Sequence, residues 1–164
     1  MKKKTLLLLA SGILLLSIFV SCNKVDYTVK DKLVTGELNY TRTAYVPLRI
    51  DEVTQQPIKA SITMEGTGTI SDMDIINMVS TYTFDYTTGK GSEFVTTYYG
   101  ENTADSFRAS AASTLQPDGT IKVLEFLSNG TGKFEDIRGQ GETIVVLSPD
   151  QSTGTGSVSW TLTY

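Results

Sequence analysis

Apolar and polar side chains alternate along most of this chain, and they rarely repeat at the spacing of a helix. Leu33 to Ile50 is rich in Val, Thr, Tyr and Leu and reads as extended. Pro47 marks that segment as an edge or entry strand, because proline has no N–H to give to a central ladder. Ala60 to Ile70 places Ile62, Met64 and Gly66 on one face, and Ile75 to Tyr86 carries Tyr82, Phe84 and Tyr86 at period two. Glu93 to Tyr99 follows, then Phe107, Ala109 and Ala111 alternating with Arg108 and Ser110. Ile121, Val123, Glu125 and Leu127 share a face, with Lys122, Leu124 and Phe126 on the other. Thr143 to Leu147 is the next strand, and Val158, Trp160, Leu162 and Tyr164 close the chain. Only Asp72 to Ser80 is ambiguous, since Met73, Ile76 and the Val79/Ser80 region also fit a short helix.

The breaks between these runs are turn-like. Asp51 to Pro57, Thr87 to Gly91, Pro117-Asp118-Gly119 and Ser148 to Gly154 combine the residue types that set turn dihedrals. Seven or eight short strands at regular spacing predict an antiparallel barrel or sandwich. Ala109, Ala111 and Ser113 suit the taper of a barrel, and closure removes the edges that so many strands would expose. The expected fold is all-β, an eight-stranded antiparallel, calycin-like barrel over residues 33–164.

The first residues carry a different signal. Lys2, Lys3 and Lys4 precede an apolar run from Thr5 to Val20, which is too short for a typical spanning helix and fits a signal-peptide core. The chain's single cysteine, Cys22, follows small Ser21. Phe19-Val20-Ser21-Cys22 resembles the lipobox of bacterial lipoproteins, with Phe19 in place of the usual leucine. The resemblance implies cleavage after residue 21, lipidation of Cys22, and a polar tether over 22–32. Asn23, where aspartate would signal retention at the inner membrane, implies an outer-membrane address. The alternative is a plain secretory signal with an incidental cysteine.

Charge and composition narrow the chemistry. Removing Lys2, Lys3 and Lys4 from 14 basic residues leaves 11 against 18 acidic ones, a net of −7. Such a surface repels polyanions, so nucleic acid is not an expected partner. Membrane contact is expected through the N-terminal lipid. The chain has no histidine and one cysteine, which excludes His/Cys metal sites and Ser-His or Cys-His nucleophile systems. Asp72 and Asp74 lack the rest of a calcium-loop pattern. No metal and no cofactor is expected.

Five Gly-x-Gly pairs recur: Gly66-Gly68, Gly89-Gly91, Gly130-Gly132, Gly139-Gly141 and Gly154-Gly156. None continues as a dinucleotide fingerprint, and none opens a helix. Two glycines two apart lie on one strand face, where they permit sharp coiling or the close approach of a neighbouring aromatic. Gly130-Thr131-Gly132-Lys133-Phe134, followed by Gly139 and Gly141, resembles the signature of allene oxide cyclase and dirigent-type barrels. Gly66-Thr67-Gly68 and Gly154-Thr155-Gly156 match in position. The resemblance covers about Ile62 to Tyr164 and implies an eight-stranded barrel with a central cavity. It does not transfer a catalytic residue. Within Leu127–Gly141, Phe134 is expected to pack over the missing side chains, and Glu135, Asp136 and Arg138 to form a solvated local ion pair.

Glu125 is the candidate for chemistry. Facing inward among Ile121, Val123 and Leu127, it would be a desolvated carboxylate, able to act as an acid/base or to anchor a ligand. Facing outward, or paired with Arg108 or Arg138, it would be merely structural, which is the commoner setting for a strand glutamate. Tyr82, Phe84 and Trp160, with Tyr86, Tyr98 and Tyr99, are candidates to line a pocket or fill the core. Three functions remain: a lipoprotein binding a small apolar ligand, an isomerase or cyclase of the allene oxide cyclase type, and a structural or protein-interaction module at the cell envelope.

Overall fold

The computed structural model describes residues 31–163. The predicted signal, Cys22 and most of the tether, together with Tyr164, lie outside them. The described chain is eight strands: β1 (Asp31–Ile50), β2 (Pro57–Ile70), β3 (Asp74–Asp85), β4 (Lys90–Tyr99), β5 (Ser106–Leu115), β6 (Ile121–Ser128), β7 (Arg138–Leu147) and β8 (Thr153–Thr163). They form a closed barrel in chain order, each antiparallel to the next, with β1 pairing β8 to complete the ring. The expected all-β, eight-stranded antiparallel barrel is the observed one.

Alternation decides which side chain points in. Leu38 and Tyr40 on β1, Ile62 and Met64 on β2, and Val158, Trp160 and Leu162 on β8 are buried, while the residues between them are more exposed. The hairpins at one end share a device. Asp51, Asp85, Asp118 and Asp150 each accept hydrogen bonds from hydroxyls or amides within the same turn. This is the local side-chain chemistry that favours Asp, Ser and Thr in turns. It holds these carboxyls below their ordinary range, Asp150 at about 2 through Ser148 and Ser152.

Pro47 lies where proline is tolerated. The β1–β8 ladder ends at the Thr41–Thr153 pair, and beyond it β1 continues against β2 alone. The ambiguous window is strand. Ile76, Met78 and Ser80 point inward at period two, and Val79 lies on the outer face. The helix-like Met73–Ile76 spacing arises because Met73 belongs to the β2–β3 turn and folds back under the barrel end, where it is buried.

That end is filled. Ile70, Met73, Phe107, Phe134, Ile137 and Leu162 close it with apolar side chains. Phe134 comes from the Leu127–Gly141 stretch, on a single 3-10 turn at Gly132–Phe134. It meets Phe107 edge-on, with ring centroids 5.1 Å apart, so it works as a plug rather than as a cover over a glycine row. Gly130 has the backbone carbonyl of Phe134 pressed against it, and Gly132 sits against the Asp105 carboxylate at a φ of +58°. The expected local ion pair is absent. Arg138 donates to the Ile137 carbonyl at 2.7 Å, and Lys133 reaches across to Asp74 at 3.6 Å. Asp72 is paired with Lys32 at 3.0 Å. Asp31 and Thr163, the first and last described residues, meet at this plugged end.

Candidate functional site

Above the plug, the barrel interior opens. Glu125 on β6 is directed inward and is only 3% exposed. Cross-strand pairing sets its surroundings: Ala111 on β5 faces it on one side and Gly141 on β7 on the other, with Trp160 of β8 next in the row. A Cβ at Gly141 would come within 2.6 Å of the Trp160 Cα and 2.8 Å of its Cδ1. The missing side chain therefore lets the indole cross a whole strand. Its Nε1–H donates to Glu125 Oε2 at 3.1 Å. The Thr143 hydroxyl donates to the same oxygen at 2.6 Å, and the Tyr98 hydroxyl donates to Oε1 at 2.5 Å.

Neither Arg108 nor Arg138 is a partner, so the outward or ion-paired setting that the sequence favoured for Glu125 does not hold. The physical reason is barrel closure, which commits every second residue of β6 to the interior. Burial pushes the Glu125 carboxyl above its usual 4.5, and the hydrogen bonds from Thr143, Tyr98 and Trp160 pull against that shift. Burial raises the Tyr98 phenol well above 10, and the nearby Glu125 charge adds to it. Tyr98 thus remains a donor throughout the ordinary pH range.

Over this carboxylate lies a recess lined by Met64, Met78, Phe84, Val123 and Val145, with Tyr40, Tyr82, Ser80, Thr96 and Ser113 also on its wall. It leaves about 60 Å³ for the centre of a water-sized sphere, inside about 570 Å³ of empty space that includes open solvent. That room takes a few waters or a small apolar group. Tyr40 fits between two glycines: Cβ atoms at Gly66 and Gly156 would meet its ring at 2.9 Å and 2.6 Å. The glycine pairs thus make room for aromatics at the cavity wall.

A bulge shapes the mouth. Between Gly91 and Thr96, β4 slips in register against β5, and Glu93 takes a φ of +57°. Thr83 ties the bulge down by donating to Glu93 Oε2 at 2.7 Å. Such bulges re-aim side chains at barrel rims. Here Phe94 turns inward and stacks on Tyr82 with centroids 4.7 Å apart and planes 9° from parallel. Burial pushes the Tyr82 phenol up to about 12.

Of the residues singled out from sequence, Glu125, Tyr82 and Phe84 border the recess. Trp160 does not: it is fully buried beneath Glu125 and supports it. Tyr98 lines the recess, while Tyr99 points to the opposite face of β4. Cys22 lies outside the described residues. The sequence pattern assigned no site role to Thr143, Ser113, Tyr40 or Phe94. Thr143 and Ser113 resemble any strand hydroxyl, and only their register, Thr143 against Val123 beside Glu125 and Ser113 against Gly91, distinguishes them. No protein-family model, curated protein or solved structure matches this chain.

Proposed function

We propose that this protein is a lipid-anchored binding barrel that takes a small, largely apolar molecule into its recess. One observation carries the reading: an apolar-walled recess ends on a single buried carboxylate held by three neutral donors. Pockets that are mostly apolar with a few placed polar groups are the usual form of a small-molecule site. The second reading is an isomerase or cyclase of the allene oxide cyclase type. It needs a carboxyl oxygen free to exchange a proton with substrate, whereas both Glu125 oxygens already accept hydrogen bonds. An interaction module is less favoured. Leu124 and Phe126 are exposed on the outer face, but the Lys122–Glu142 ion pair interrupts that surface.

Binding is tested with toluene as a neutral probe, followed by NMR of side-chain methyl groups. Saturable shifts should centre on the methyls of Met64, Met78, Val123 and Val145. Val123→Phe, which fills the recess, should weaken them at least tenfold (about 1.4 kcal/mol). Shifts scattered over the surface, or unaffected by Val123→Phe, would remove the reading.

Anchoring rests on the lysines, apolar run and cysteine at residues 2–22. Mass spectrometry of the protein from its membrane fraction should give a mature chain starting at Cys22 and carrying acyl mass. An unmodified Cys22 would sink the anchoring.

A further inference from the structure

The hydroxyl of Ser113 has no hydrogen-bond partner, and it is the one fully enclosed side-chain oxygen or nitrogen among the described residues in that condition. Ser113 is 4% exposed and lies on the recess wall, between Gly91 of β4 and Val123 of β6. Buried polar groups in folded proteins nearly always find partners, so an orphan on the wall of a recess, packed over Gly91, asks for one from outside the chain. The serine, threonine and carboxylate groups beside it are already engaged. Ser80 and Thr96 hydrogen-bond each other at 2.7 Å, and Glu125 is already held by Tyr98, Thr143 and Trp160.

Charge sets the other half of the specificity. Glu125 is the only carboxylate lining the recess, and no lysine or arginine lines it. Outside that lining, Arg42 sits over the Tyr45 ring at 5.2 Å. An organic acid entering the recess would give up its hydration among apolar walls that carry no lysine or arginine to neutralise it.

The geometry points to a neutral ligand, apolar over most of its surface, whose one hydroxyl or carbonyl group hydrogen-bonds Ser113. This deepens the binding reading above and rests on it. The discriminating experiment titrates the protein at pH 7 with methylcyclohexane, cyclohexanol, cyclohexanone and cyclohexanecarboxylate, read by NMR shifts of the recess methyls. Cyclohexanol and cyclohexanone should bind about tenfold more tightly than methylcyclohexane, with the carboxylate weakest. Ser113→Ala should bring the alcohol and ketone down to the hydrocarbon's affinity and leave the hydrocarbon unchanged. Without ligand, Ser113→Ala should melt higher than the parent, because the uncompensated hydroxyl is gone.

Equal affinities for hydrocarbon and alcohol would overturn the ligand class while leaving the binding barrel standing. Tightest binding by the carboxylate would do the same, as would a lower melting temperature for Ser113→Ala, which would mean the hydroxyl already has a partner. No binding by any of the four would take the class down together with the binding reading.

Discussion

Gly141→Val should destabilise the barrel by about 4 kcal/mol, a large share of the roughly 5–15 kcal/mol that holds a typical domain together. The valine would meet the Ser159 carbonyl and the Cα and Cδ1 of Trp160. Overpacking of this kind costs about 1–3 kcal/mol. Moving the indole aside also breaks its bond to Glu125, and bonds to charged groups are worth about 1.5–3 kcal/mol. Gly119→Ala is the useful control. Gly119 has a φ of +85° and nothing within 4 Å of an added Cβ, so only the left-handed backbone resists the substitution, at about 1–2 kcal/mol. Urea denaturation of the three proteins separates space from conformation. A Gly141→Val protein within 1 kcal/mol of the parent would refute the role given to that glycine.

Tyr98→Phe should cost about 2 kcal/mol at neutral pH, since it deletes the donor to Glu125 Oε1 and keeps the ring. The ring's contacts with Phe107 and Trp160, at 4.9 Å and 5.1 Å between centroids, remain. The loss should depend on pH, with a sign that follows from Glu125. Its folded pKa lies above the 4.5 of the unfolded chain. Between those two values the native state holds a proton that the unfolded state has released. Stability therefore falls as pH rises through that window, by at most about 1.4 kcal/mol per pH unit, and levels off above it. Asp51, Asp85, Asp118 and Asp150 act in the opposite sense, because their lowered values add stability as pH rises out of the acid range. Maximum stability is thus expected near pH 4–5. Tyr98→Phe widens the falling window, and Glu125→Gln abolishes it. Melting curves at pH 4.5 and 7.5 check both statements. A Glu125→Gln protein that loses as much stability as the parent between those values would remove Glu125 as the source.

The barrel was legible because its determinants are local. Alternation in Ile121–Leu127, or in Val158–Leu162, marks a strand without knowledge of its neighbours, and the aspartates of the turns act within four residues. The site was less legible because it is assembled across strands. Whether Glu125 faces in or out depends on which side of β6 the ring closes around. Thr143 reads as an ordinary strand threonine until β7 is placed in register beside it. The bulge at Glu93 is written in no turn residue, yet it brings Phe94 to the mouth. Met73 misled in the other direction, because its spacing to Ile76 mimics a helix while its position is a turn.

Because the chain enters β1 at the plugged end, an anchor at Cys22 would seat the barrel plug-first on its bilayer. The connection from Cys22 to Asp31 spans at most about 30 Å even when fully extended, so the domain would stay close to the lipid, and in the plug-first pose its mouth is turned away. A guest dissolved in that membrane would have no direct route in. Loading would have to come from the aqueous side, by free diffusion or by hand-over from a carrier facing the open rim.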